Sequence, residues 1–245
     1  MLFLIKYAFE LKENRRILFP GLFISFEGIE GAGKTTHISH LARLLSKKGY
    51  DVQITREPGG TPAAEAARHV LLSYGVDEFG SCAEAILFAA IRSDHVESII
   101  RPALMQGKIL LCDRFLDSSY AYQSDGNGSK KILDYLQKVS TQGIVPDCTI
   151  IMDLPVDIGL KRIHTRCASK KMSSLDRFEQ KDIKIHEIRR QIFLDIARDQ
   201  SDRCRIVNSA SSFNDVSRNV LNIVCELIQN RIFPSRNAKN EIKDR

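Results

Sequence analysis

Gly28-Ile29-Glu30-Gly31-Ala32-Gly33-Lys34-Thr35 fits the pattern GxxxxGK[ST], and that spacing suits one task, holding a chain of phosphates. Glycines let backbone N–H groups close around phosphate oxygens with no Cβ in the way. Lys34 would bridge the β- and γ-phosphates and Thr35 would hold Mg²⁺, both at the positive end of a following helix. The expected cradle comprises Gly28, Ile29, Glu30, Gly31, Ala32, Gly33, Lys34, Thr35 and Thr36. Such a loop alone does not separate a kinase from a GTPase or a motor. The Asn-Lys-x-Asp segment with which a GTPase reads guanine is absent from the sequence. Four cations, Lys34, Arg68, Arg92 and Arg114, follow different elements yet would converge at one end of a sheet.

The elements that must position them alternate in type. Strand candidates are Leu22–Phe26, Asp51–Thr55, Lys108–Cys112, Cys148–Asp153 and Cys204–Val207. Helical patterns fill the gaps at Lys34–Lys48, Ala63–Ser73, Ala83–Gln106, Lys130–Gln142, Val156–Arg166, Phe178–Arg198 and Phe213–Asn230. This alternation predicts an α/β fold, a doubly wound five-stranded parallel sheet of the P-loop NTPase type. Ligands then sit beyond the carboxyl ends of the strands, which is where the candidate residues fall. Cys167–Arg177 is polar and basic without an apolar period, and reads as an exposed loop or a lid.

Composition narrows the class. Of the formal net charge of +6, residues 1–21 contribute +2 from four basic and two acidic side chains. Residues 231–245 contribute +3 from five basic and two acidic, which leaves +1 for 22–230. Charge gathered in two tails predicts solvated ends and no nucleic-acid partner. Apolar runs such as Ile109–Cys112 are too short to span a bilayer, so no membrane partner is expected. Six widely spaced cysteines without a CxxC pair speak against a disulfide framework or a zinc site and suit the cytoplasm.

Four further segments are more specific than the phosphate loop. They are Thr55-Arg56-Glu57-Pro58-Gly59-Gly60-Thr61, Leu87-Phe88-Ala89-Ala90-Ile91-Arg92, the run Asp113-Arg114-Phe115-Leu116-Asp117-Ser118-Ser119-Tyr120-Ala121-Tyr122-Gln123, and Pro146-Asp147 entering a strand. In order and spacing, from about Leu22 to Cys225, the chain resembles bacterial thymidylate kinases, P-loop nucleoside monophosphate kinases. The resemblance implies phosphoryl transfer from ATP to dTMP with Mg²⁺ in a cytoplasmic homodimer. It implies that Arg114 and Arg68 grip the acceptor phosphate, and that Asp113 helps to arrange Mg²⁺ and Arg114. Phe88 would stack on thymine, with Arg92, Ser119 and Gln123 reading its edge. Tyr122 would lie against the sugar, excluding a 2′-hydroxyl, with Glu30 near the sugar and phosphate. Some relatives carry a catalytic arginine inside the phosphate loop, at the position of Gly31 here. The other type supplies it from a short helical lid, about residues 162–178, where Arg166 is the first candidate and Arg162 and Arg177 are alternatives. The family domain would span 22–230, with residues 1–21 a dispensable extension and 231–245 a basic tail. After Gln123 this chain reads Ser124-Asp125-Gly126-Asn127-Gly128, where the family often has a glycine and a nearby arginine.

This chemistry also follows from the residues. A phosphate acceptor is mostly dianionic at neutral pH, since its second pKa is about 6, and so needs no general base. A kinase acting on a nucleoside hydroxyl would need a carboxylate base, for which Glu57 is the candidate. A silent nucleotide-binding regulator would be expected to lack Lys34 or Arg114, and both are present.

Overall fold

A computed structural model describes residues 20–72, 80–124, 129–170 and 178–232 of the chain. Residues 1–19, 73–79, 125–128, 171–177 and 233–245 lie outside the described residues, among them Ser73 of a predicted helix and Arg177 of the expected lid.

The chain runs β1 (Leu22–Glu27), α1 (Lys34–Lys47), β2 (Val52–Arg56), α2 (Pro62–Leu72) and α3 (Gly80–His95). A π turn at Val96–Ile100 leads into α4 (Arg101–Met105), then β3 (Ile109–Asp113), α5 (Leu116–Gln123), α6 (Ser129–Thr141) and β4 (Cys148–Asp153). The chain continues through α7 (Val156–Lys170), α8 (Ile183–Asp199), β5 (Cys204–Asn208) and α9 (Phe213–Ile232). The five strands are parallel in the order β2-β3-β1-β4-β5. Every predicted strand lies within one residue of an observed one at either end, and β4 has the predicted bounds.

Three helical expectations need correction. The segment Leu116–Gln123 forms a helix of its own, although its polar residues give it no apolar stripe. The predicted polar interruption from Cys167 is helical as far as Lys170. The helix predicted from Phe178 begins at Ile183, where the Asp182 side chain accepts a hydrogen bond from Lys184 N at 2.8 Å, a side-chain N-cap. At the other end of the domain, Gly21 already belongs to the fold, its N–H bonding Leu104 O at 2.9 Å.

Central strand β1 is buried along its whole length. Alternation sends Ile24 and Phe26 to one face, where they meet Ile38, Leu41 and Leu45 of α1 and Val220 and Val224 of α9. Phe23 faces the other side, among Val96, Ile100, Leu110 and Phe115. Each large apolar side chain so buried contributes roughly 1.5–3 kcal/mol. That second face also carries polar groups, with Ser25 Oγ 2.8 Å from Thr149 Oγ1. Arg203 there binds the carboxylate of Asp117 through two contacts of 2.9 and 2.6 Å. Burying Lys34, His37, Ile38, Leu41, Ala42 and Leu45 gives α1 one inward stripe. This anchors the phosphate loop between β1 and α1. No helix among the described residues is long and apolar enough to cross a membrane.

Candidate active site

Because β1 lies between β3 and β4, the loop after β1 faces the turn after β3, and Phe26 is in register with Asp113. Gly31 and Gly33 take φ of 77° and 88°, left-handed conformations that favour glycine. Lys34 Nζ bonds Gly28 O at 3.0 Å and Ile29 O at 2.9 Å. Burial and the neighbouring Arg114 guanidinium lower the Lys34 pKa to about 8, against the opposing pull of Asp113, Glu30 and Glu27. Thr35 Oγ1 donates to Asp113 Oδ2 at 2.5 Å. A hydroxyl beside a carboxylate is a pair of hard oxygen donors that fits Mg²⁺, which takes its remaining ligands from phosphates and water. Ile29 and Ala32 of the expected cradle pack their side chains into the core, which leaves only their backbone for phosphate.

Arg114 directly follows β3 and adopts φ 70°. That conformation is uncommon for a residue with a Cβ. It is fixed on both sides: Arg114 N bonds Phe26 O at 3.0 Å, and Phe115 N bonds Glu27 Oε1 at 2.7 Å. The side chain then reaches Gly28 O at 3.0 Å, Ser118 Oγ at 3.1 Å and Glu30 Oε1 at 3.1 Å. Its guanidinium lies 4.9 Å from the centroid of the Tyr122 ring. Ser118 in turn donates to Glu27 Oε2 at 2.6 Å. Burial and Asp117 raise the Glu27 pKa to about 8 in spite of the Ser118, Arg114 and Phe115 contacts.

Glu30 has the opposite electrostatics. Burial disfavours its charge, but His186, Arg114, Lys34 and Tyr122 together hold its carboxyl well below the usual carboxylate range. Tyr122 Oη donates a short hydrogen bond to Oε1, and His186 Nδ1 lies 3.5 Å from Oε2.

A single cavity of about 1130 Å³ joins this phosphate end to a second, mixed end. Phe88 of α3 lines it, half-buried against Ala64, Leu71 and Ile91. Ser119, Tyr122 and Gln123 face it from α5, and Arg68 from α2. Arg68 Nη1 bonds Pro58 O at 2.7 Å. Arg162 and Arg166 of α7 also line the cavity. Arg162 bonds Gly31 O at 3.3 Å and Ser209 O at 3.0 Å, while Arg166 pairs with Glu179.

Arg92 departs from its expected place. It is 2% exposed and does not line the cavity. Its guanidinium is enclosed by Glu57 at 2.7 Å, Ser119 Oγ at 3.0 Å, Gln137 Oε1 at 2.5 Å and Phe115 O at 3.2 Å. It therefore stands directly behind Ser119, one layer below the cavity wall. The same ion pair engages Glu57. Burial favours the neutral acid there, but Arg92 and His95 lower the Glu57 pKa below its ordinary value, which makes it a weak base.

Three neighbours escape a reading of the sequence. Arg189 is buried with its guanidinium 4.3 Å from the Tyr122 centroid and bonds Phe178 O at 3.2 Å. Within Arg189-Arg190 on a charged helix it reads as solvated. His186 and Glu84 carry no motif, and only their contacts with Glu30 and Gln123 single them out.

The chain is similar to known proteins. The model of the family "Thymidylate kinase" matches residues 26–220. A thymidylate kinase of Bartonella quintana (strain Toulouse) is 43% identical over 213 residues, covering 86% of this chain and 99% of that protein. One of Bradyrhizobium sp. (strain ORS 278) is 45% identical over 214 residues, covering 87% of this chain and 92% of the other. The crystal structure of thymidylate kinase from Ehrlichia chaffeensis superposes with a TM-score of 0.66 at 33% identity, covering 83% of this chain and 98% of that one. With the phosphate loop, the Asp113-Arg114 turn and the mixed pocket joined in one cavity, and the family match running through all three, this chain belongs to the thymidylate kinase family.

Proposed function

We propose that the protein transfers the γ-phosphoryl group of ATP to the phosphate of dTMP, giving dTDP and ADP. The observation that carries this reading is the single cavity with Lys34 and Thr35 at one end and Phe88, Ser119 and Gln123 at the other, with Arg114 between them. Bringing two polyanions together in line is the main difficulty, so fixed positive charge contributes most. Lys34 exchanges the Gly28 and Ile29 carbonyls for phosphate oxygens of ATP. Arg114 and Arg68 grip the acceptor phosphate, and no base is required. Thr35 and Asp113 would hold Mg²⁺, which neutralises charge on the phosphates of ATP.

Phe88 offers a face to the base, and Tyr122, fixed by Glu30 and Arg189, closes the space beside the sugar where a 2′-hydroxyl would go. Arg92 supports the base edge through Ser119, or reaches it by releasing an internal partner. Glu57, engaged by Arg92 and His95 and of lowered basicity, is a poor base for a hydroxyl, which speaks against a nucleoside as acceptor. The positive charge at the transferred group comes from the lid, with Arg166 as the first candidate for donor and Arg162 or Arg177 as alternatives. Val70 on α2, Ile86 on α3, and Tyr135 and Val139 on α6 expose apolar side chains on neighbouring helices, which supports a homodimer through that face.

A coupled assay of ADP release with dTMP, dCMP, UMP and thymidine as acceptors tests the proposal. The expected order puts dTMP first, with UMP and dCMP weaker by orders of magnitude, up to about 10⁴-fold where a polar partner is lost. Turnover of thymidine without turnover of dTMP would replace the reading with a nucleoside kinase.

A further inference from the structure

The amide of Gln123, in the cavity wall, is oriented by a neighbour. Its Nε2 donates to Glu84 Oε1 at 2.7 Å, and both side chains are buried, at 2% and 7% exposure. The Glu84 oxygen accepts this bond from the amide N–H, which turns Nε2 toward Glu84 and leaves Oε1 on the other side of the amide. That oxygen is buried with no hydrogen-bond partner among the described residues, on a side chain that lines the cavity. A buried acceptor without a partner is costly unless a ligand fills it.

Ser119, one helical turn before Gln123 on α5, is polarised in the opposite sense. Arg92 Nη1 lies 3.0 Å from Ser119 Oγ, and a guanidinium has no acceptor. The Ser119 oxygen therefore receives that bond and keeps its own proton to donate elsewhere. Two residues of the cavity lining, one helical turn apart on α5, thus carry an acceptor on Gln123 and a donor on Ser119.

We propose that Glu84 is a specificity-determining positioning residue: by holding the Gln123 amide in one orientation, it selects an acceptor base that offers a ring N–H beside a carbonyl. This rests on the proposed dTMP kinase reading and deepens it. Thymine and uracil offer an N3–H flanked by carbonyl oxygens. Cytosine offers an unprotonated N3 beside an exocyclic amine, which sets acceptor against acceptor and donor against donor. Glu84 lies one helical turn before Phe88 on α3, so a single helix carries the residue that stacks on the base and the one that fixes its polar code.

The test is the ratio of kcat/KM for dTMP to that for dCMP, with dUMP as a third acceptor, in the full-length protein. Glu84→Gln keeps the shape but lets the facing amides adopt either orientation. The ratio should fall at least about tenfold, while dUMP follows dTMP because both offer the same edge. Glu84→Asp keeps an acceptor and should restore most of the wild-type ratio. If Glu84→Gln folds poorly by its melting temperature, Glu84→Met removes the acceptor as well and must show the same selective loss. Parallel losses on all three substrates, or an unchanged ratio, overturn the proposal. Absence of dTMP turnover in the wild-type protein would instead reject the kinase reading itself.

Discussion

A β-carbon added to Gly31 would lie 2.4 Å from the carbonyl oxygen of Gly159 and 2.8 Å from its Cα. The phosphate loop and the first turn of α7 therefore touch backbone to backbone. This contact carries Arg162, farther along α7, to within 3.3 Å of Gly31 O. It also closes the route by which an arginine could enter the loop itself. Gly31→Arg should lose at least about a hundredfold in kcat. A left-handed residue with a side chain costs about 1–3 kcal/mol before any overlap is counted. Melting temperature and single-turnover rate check this, and a variant as active as the wild type would refute the packing argument.

With that position closed, the proposal that a lid arginine supplies positive charge at the transferred phosphoryl group can be tested at Arg162 and Arg166. Arg162→Ala and Arg166→Ala should be compared, with kcat and ATP affinity measured separately. One of them should lose about a hundredfold or more in kcat with little change in ATP affinity, as expected for a contact made in the transition state. Near-normal kcat in both would exclude these two side chains as the donor.

The pH dependence of ATP binding follows from Lys34. Its pKa in the free protein is lowered to about 8, and bound phosphate favours the charged form. Below pH 8 the ammonium is already present, and affinity should be flat. Above pH 8 binding must take up a proton, so the KM for ATP should rise toward about tenfold per pH unit. A KM that stays level to pH 9.5 would show that Lys34 keeps its charge in the free protein.

Stability should depend strongly on a pair away from the reacting atoms. Arg203 and Asp117 are 7% and 0% exposed and lie 2.6 Å apart. Removing one partner leaves a buried charge uncompensated, at about 3–5 kcal/mol. For a domain of this size that corresponds to roughly 6–20 °C in Tm. Asp117→Asn measured by thermal melting should fall in that range. The exposed pair Arg198–Asp195 should by contrast change Tm little, since surface pairs contribute about 0–1 kcal/mol. Equal effects at both sites would contradict the burial argument.

The strands were legible because each is a short run rich in β-branched or apolar residues between helical patterns, and the phosphate loop because its glycines and lysine leave few other readings. Leu116–Gln123 escaped as a helix because Asp117, Ser118, Ser119 and Gln123 all point to partners and leave no apolar period. Arg92 shows the limit more sharply. Its position on the same helix face as Phe88 is visible from the i, i+4 spacing, but its four partners come from Glu57, Phe115, Ser119 and Gln137. Only the packing of separate elements shows that it stands behind the wall. Glu84 and Arg189 were silent for the same reason, since a charged residue on a helix reads as solvated until the element covering it is known.

³¹P NMR of the protein with ATP, Mg²⁺ and dTMP follows the γ-phosphorus directly. The account predicts that the γ resonance of ATP is replaced by the β resonance of dTDP and that ADP accumulates in equal amount. It also predicts that Arg114→Ala slows this exchange by orders of magnitude. Appearance of inorganic phosphate in place of dTDP, or an Arg114→Ala protein that forms dTDP at the wild-type rate, would contradict it.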